Sequence, residues 1–258
     1  MDSFSSRTTP ELEPRDVWGI LGGLGPLASA EFLKTIYEYT DLISEQDAPI
    51  VILFSDPAFP DRTTSLAEGV ADKLLHRLED RMVGLLKAGA TNIAICCLTI
   101  HSIFPRLRSR LREKTISLVD VAVDAVHQSP FGRHLLLCTN GSRQTRLFEG
   151  HESWPADRIV LPSSSDQHLI HEFIYRLKQT GDTRRFCELL EELLEKYDAD
   201  SFIAGCTEVH LVSKAWKNTG HRCGLVDPLD VLAAHIAGRR SIPEDGAPNN
   251  IRAVCAGT

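Results

Sequence analysis

Two cysteines stand at matched places in this chain, and what surrounds them suggests proton chemistry. A shift of 109 residues lays Ala90, Cys97 and His101 over Ala199, Cys206 and His210. Each thiol follows a short apolar run, Asn92-Ile93-Ala94-Ile95 or Ser201-Phe202-Ile203-Ala204, that reads as a buried strand. In parallel α/β sheets, sites form at the carboxyl ends of strands, where loops and helix starts converge. A helix start stabilises a thiolate, so the pKa of both thiols is expected to fall. If the two units face each other across a pseudo-twofold axis, the thiols meet over one cleft. One thiolate then takes a proton from a substrate carbon while the opposite thiol supplies another, inverting the centre with no cofactor. A lone cysteine in a strand is usually core filling, and it is the duplication that sets these two apart. Cys96 faces the other side of its strand, because side chains alternate. Cys138, Cys187, Cys223 and Cys255 have no counterparts and read as structural or exposed.

The rest of the chain supplies the scaffold. Val17 to Leu21 reads as a buried strand that breaks into Gly22-Gly23-Leu24-Gly25-Pro26, followed by a helix over about 28–39 and a second apolar run at 50–54. Then come a Pro-rich loop, 56–64, and a long helix carrying Val70, Leu74, Leu78, Met82, Leu85 and Leu86 at helical spacing. The second half repeats this grammar with strands at 135–137 and 158–161, a loop at Thr139-Asn140-Gly141-Ser142, and helices at 166–179 and 183–196. A weaker echo sets Leu118-Val119-Asp120 against Leu225-Val226-Asp227. Strands alternating with helices indicate βα units, and the duplication favours two lobes over one large sheet. The expected fold is therefore α/β: two similar lobes, each a mainly parallel sheet flanked by helices, related by a pseudo-twofold axis. Residues 1–16 read as a flexible tail, 17–113 with 224–258 as the lobe carrying Cys97, and 114–223 as the lobe carrying Cys206.

Composition narrows the function classes. The 258 residues carry a formal net charge of −7, with 24% charged and 43% hydrophobic residues, which argues against a nucleic-acid binder. No apolar run is long enough to span a bilayer, and the polar start lacks the apolar core of a signal peptide. A cytoplasmic protein with reduced thiols, acting on small molecules, is the expectation.

The motifs now carry a resemblance. Gly19-Ile20-Leu21-Gly22-Gly23-Leu24-Gly25-Pro26-Leu27-Ala28, Pro60-Asp61-Arg62-Thr63, Cys97-Leu98-Thr99-Ile100-His101 and Gly205-Cys206-Thr207-Glu208 resemble, in order and spacing, the motifs of the aspartate/glutamate racemase family, nearest its aspartate racemase branch. The resemblance implies racemisation of an acidic amino acid without pyridoxal phosphate, other cofactor or metal, commonly by a homodimer. It makes Cys97 and Cys206 the paired acid/base thiols and gives Arg62 to a substrate carboxylate. It sets Thr99 and Thr207 to hydrogen-bond the amino acid's polar groups. Gly25 with its glycine loop, and Thr139 and Ser142, become donors to a carboxylate, and Lys178 matches a substrate-facing lysine. That branch carries Asn where this chain has Leu98, which offers neither donor nor acceptor, and it commonly has Asn near Ser55-Asp56. An acidic amino acid is thus the expected class, with aspartate first within it.

Three other readings use the same residues. Gly23-Leu24-Gly25-Pro26-Leu27-Ala28 fits a dinucleotide-binding template, though Pro26 interrupts the phosphate-binding turn and the second strand ends near Phe54-Ser55-Asp56, about 30 residues past the glycines, where the template sets an acidic residue about 20 on. Cys97, His101, Cys206 and His210 form a Cys2His2 set that would bind a metal if the fold gathered them. A decarboxylase or isomerase of the same fold would need only one of the two thiols.

Overall fold

The computed structural model describes residues 15–41, 44–220 and 223–239. Most of the expected tail, the segment 240–258 and Cys255 therefore lie outside the described residues.

The first half runs β1 (Val17–Gly22), α1 (Pro26–Tyr39), β2 (Ile50–Ser55), α2 (Arg62–Ala67), α3 (Ala71–Lys87), β3 (Asn92–Ile95), a 3-10 stretch (Thr99–Arg106), α4 (Ser109–Arg112), β4 (Thr115–Ile116) and α5 (Leu118–Gln128). The second half follows with β5 (His134–Leu137), α6 (Asn140–Gln144), β6 (Ile159–Val160), α7 (Ser164–Thr180), α8 (Arg184–Lys196), β7 (Ser201–Ala204), α9 (Val209–Lys217), β8 (Gly224–Val226) and α10 (Pro228–Ile236). Two four-stranded sheets result, ordered β2-β1-β3-β4 and β6-β5-β7-β8, and every strand pairing is parallel. This is the two-lobed α/β architecture expected from the duplication.

Alternation along the strands decides where each face packs. Ile20 and Ala94 of the first sheet and Leu136 and Ile203 of the second turn inward to one shared core with Phe32, Ile36, Leu118, Ala122, Leu229 and Leu232 of α1, α5 and α10. Leu21, Ile93 and Ile95 turn outward onto Leu74, Leu78 and Met82 of α3. Leu135, Leu137 and Phe202 turn onto α7, α8 and α9. The same period of two splits the adjacent cysteines: Cys96 enters the shared core and Cys97 the outer cluster.

The structure changes three expectations. The sheets divide the chain differently from boundaries at 113 and 223, because β4 pairs with β3 and β8 with β7. The echo between 118–120 and 225–227 is not an equivalence. Leu118–Asp120 open α5, whereas Leu225 and Val226 end β8 and Asp227 caps α10; the matching strands are β4 and β8. Finally, the Pro-rich loop is shorter than expected, because Asp61 accepts a hydrogen bond from Thr64 N and starts α2 at Arg62.

Candidate active site

The glycine loops show how closely the lobes meet. Gly25 lies four residues past Leu21 and Gly141 four past Leu137, the last paired residues of β1 and β5 with their third strands. A Cβ on Gly25 would come within 1.9 Å of Glu208 Oε1, and one on Gly141 within 2.8 Å of Thr63 Oγ1 and 3.1 Å of Thr99 Cγ2. Each lobe's first loop thus presses on residues that flank the other lobe's chemistry, and only glycine leaves room.

Cys97 and Cys206 end up 6% and 3% exposed, at the tips of β3 and β7. Cys206 Sγ donates to Glu208 Oε2 at 2.8 Å. Burial first, then the Glu208 carboxylate, pushes the Cys206 thiol well above its ordinary pKa, with Lys178 opposing and Cys97 adding to the rise. The expected lowering by a helix start is therefore reversed at Cys206. Helix α9 begins three residues later, at Val209, and an acidic side chain lies between.

Arg62 is 7% exposed. Its guanidinium donates to Leu24 O and, at 2.9 Å, to Pro60 O, which ties it across the glycine loop. Burial works against its charge, but Cys97, Asp61 and Glu208 outweigh burial and raise its pKa. Lys178 behaves alike: burial would lower it, while Glu208 and Cys206 raise it further, against repulsion from Arg62. Cys97, Arg62, Glu208, Lys178 and Cys206 thus form one electrostatic group drawn from both lobes.

The expected hydroxyls divide. Thr99 Oγ1 lies 2.9 Å from Thr139 Oγ1 and 3.2 Å from Ser142 Oγ, and the latter two are 3.1 Å apart, so three buried hydroxyls from two lobes close a ring. Thr207 Oγ1 instead spans the lobes to Cys96 O and to Glu208 Oε2, both at 3.4 Å. Leu98 lies in the shared apolar core. Asp56 is held by Arg77 and Arg81 of α3, with Arg81 chiefly keeping its carboxyl below the usual range, so it anchors the loop. Tyr175 OH of α7 donates to Asp61 Oδ2 at 2.7 Å, and Lys178 Nζ sits 4.1 Å from the centre of the Tyr175 ring. This contact joins the lobes beside Arg62.

Both motif histidines have their ring nitrogens engaged within the fold. His101 Nδ1 lies 2.8 Å from Cys97 O and its Nε2 accepts from Leu118 N at 3.2 Å, which fixes a neutral ring with the proton on Nδ1; burial lowers its pKa accordingly. His210 Nδ1 lies 2.7 Å from Asp227 Oδ2 and Nε2 lies 3.0 Å from Thr35 Oγ1. The Thr35 hydroxyl donates to Glu31 O, so it is left to accept from Nε2. His210 thus links α9 to the buried Asp227 carboxylate on one side and to Thr35 of α1 on the other. The Cys2His2 arrangement fails on this orientation, because the rings are committed to β4–α5, α1 and α10.

Breaking the contact between Asp227 and His210 has a measurable cost. Asp227→Asn keeps the oxygen that caps α10 through Leu229 N and Asp230 N but sets an amide N–H2 against His210 Nδ1 in place of the carboxylate oxygen, at about 3–5 kcal/mol for a broken buried pair. At about 2–4 °C per kcal/mol for a chain of this size, Tm falls by about 6–20 °C. Burial opposes the Asp227 charge, yet His210 outweighs it and the folded pKa is lowered. The pair's contribution is therefore present above the unfolded carboxylate pKa of about 3.9 and is lost as pH falls through the lower folded value. Melting curves should show the gap between wild type and variant narrowing below about pH 4.

Sequence reasoning passed over Glu208, although it stands inside the quoted Gly205-Cys206-Thr207-Glu208 motif, and it gave Tyr175 and Asp227 no role. The cap signal of Asp61 was legible; the side-chain directions were not.

Comparison with known proteins agrees with this geometry. The sequence profile of the Asp/Glu/Hydantoin racemase family matches residues 21–236. The broad specificity amino-acid racemase RacX of Bacillus subtilis (strain 168) is 22% identical over 202 residues, covering 75% of this chain and 86% of that protein. Among solved structures, the Picrophilus torridus aspartate racemase aligns with a TM-score of 0.72 at 24% identity, covering 87% of this chain and 95% of that one. Glutamate racemase from Thermus thermophilus aligns with a TM-score of 0.58 at 17% identity, covering 88% and 81%. With strand-end cysteines in both lobes and a family match spanning both sheets, the chain belongs to the Asp/Glu/Hydantoin racemase family and is an isomerase of the racemase class.

Proposed function

We propose that the protein racemises an acidic α-amino acid, aspartate first among them, by proton transfer between Cys97 and Cys206. The observation that carries this is the convergence of both buried thiols on one charged group, Arg62, Lys178 and Glu208. Starting from one enantiomer, the Cys97 thiolate takes the Cα proton and becomes a thiol. The electron pair left on Cα delocalises into the α-carboxylate, and Cys206 then delivers its proton to the opposite face and is left as the thiolate. The other enantiomer runs the same steps backwards. A Cα proton is far less acidic than a thiol, so the charge growing on the carboxylate must be met by fixed donors. Arg62 has N–H groups beyond the two bonded to carbonyls, and a guanidinium fork suits a carboxylate. Two cations beside the thiols, Arg62 and Lys178, suit a substrate with two carboxylates. Proton NMR in deuterated water tests the reading: either aspartate enantiomer should lose its Cα signal while the pool becomes racemic. Loss of neither signal, for aspartate and glutamate alike, sinks it.

A further inference from the structure

We infer that Glu208 is the receptor for the substrate's α-ammonium group and so restricts the site to amino acids over other carboxylic acids. The inference rests on the proposed racemase reading and adds to it the group that reads nitrogen.

The Glu208 side chain is 2% exposed, and its two oxygens are unequal. Oε2 accepts from Cys206 Sγ at 2.8 Å and faces Thr207 Oγ1 at 3.4 Å. Oε1 is buried with no hydrogen-bond partner among the described residues and lies against Gly25, 1.9 Å from where a Cβ on that residue would stand. A buried carboxylate oxygen without a donor is costly, which points to a donor that arrives with the substrate.

Position and charge say which donor. Because Oε2 lies 2.8 Å from the sulfur proposed to reach the substrate's Cα, Oε1 on the same carboxylate stands within reach of the groups that Cα carries. Of the groups bonded there, only the ammonium is a cationic donor. The neighbouring charges complete the match: Arg62 and Lys178 both sense Glu208. The other nearby anion, Asp61, is already engaged by Thr64 N at 2.9 Å and Tyr175 OH at 2.7 Å. Two cations and one anion with a free oxygen complement the two carboxylates and one ammonium of an acidic amino acid. Succinate carries the carboxylates alone and would leave Oε1 unmet.

The test compares aspartate with succinate; if another amino acid proves to exchange, that amino acid and its des-amino analogue replace the pair. Calorimetry on wild type should show aspartate binding at least tenfold more tightly than succinate. Glu208→Gln keeps the shape but removes the charge. It should weaken aspartate by about tenfold and leave succinate unchanged or tighter, so the preference collapses. Gly25→Ala, whose methyl group would displace Oε1, should collapse the preference in the same direction and serves if Glu208→Gln does not fold. A preference retained in both variants, or aspartate and succinate weakened in parallel, overturns the inference while Cα exchange in wild type still upholds the racemase reading. Absence of exchange in wild type fails that reading, and this inference with it.

Discussion

Cys97→Ser and Cys206→Ser will each abolish inversion at Cα, with kcat/KM for racemisation falling by at least about 10³-fold, because general acid–base groups contribute about 10²–10⁴ and a serine hydroxyl is a far weaker acid than a thiol. The two variants should nevertheless keep a one-sided activity. In Cys206→Ser, Cys97 can still remove a proton from the enantiomer whose Cα–H faces it and return one from solvent to the same face. The result is deuterium incorporation with retained configuration, for one enantiomer only. Cys97→Ser should show the same with the opposite enantiomer. Its pH profile carries a further signature. Burial and Glu208, the two largest influences on Cys206, remain in that variant. Thiolate therefore forms only as pH climbs past the ordinary thiol value of about 8.5, and exchange should still be rising at pH 9. Cα proton NMR and chiral chromatography read both effects. Racemisation within tenfold of wild type in either variant eliminates the two-thiol mechanism.

The second large effect belongs to Arg62. Arg62→Lys retains the positive charge yet should lower kcat/KM by about 10²–10³-fold, the range for removing one fixed donor from a developing oxyanion. The reason is geometric. The guanidinium is held by Leu24 O and Pro60 O while it faces Cys97 and Glu208. A lysine ammonium cannot hold both carbonyls and still offer a planar fork to a carboxylate. The loss should fall on kcat as well as KM, because the contact strengthens as charge moves onto the carboxylate. A rise in KM alone, with kcat unchanged, would reduce Arg62 to ground-state binding.

How much of this was written in the sequence depends on what each feature needs. Strands β3 and β7 fall where the apolar runs lie, because a fully buried strand is a local property of its residues. The matched placement of Cys97 and Cys206 just past β3 and β7 was legible because duplication preserved their spacing. Strands β4 and β8 were not: at two and three residues they exist only through pairing with β3 and β7. Helix α2 was hidden by the prolines before it, although Asp61 and Thr64 carried its cap. The acidity of Cys206 was misread because a helix-start argument counts backbone dipoles, and neither the burial of the thiol nor the carboxylate two residues away. Leu98, a puzzle as a substrate contact, is a core residue once the lobes are packed.

The near-complete enclosure of the two sulfurs has a chemical consequence. Reactive cysteines are ordinarily sought as the thiols that alkylating or oxidising reagents attack first, which demands access as well as a thiolate. Here the partly exposed Cys187 and Cys223 meet a reagent before the buried Cys97 and Cys206. A reactivity survey would rank Cys187 and Cys223 above the proposed catalytic pair. Labelling of Cys97 and Cys206 should be slow, and a bound amino acid that covers the two sulfurs should slow it further while leaving Cys187 and Cys223 unchanged.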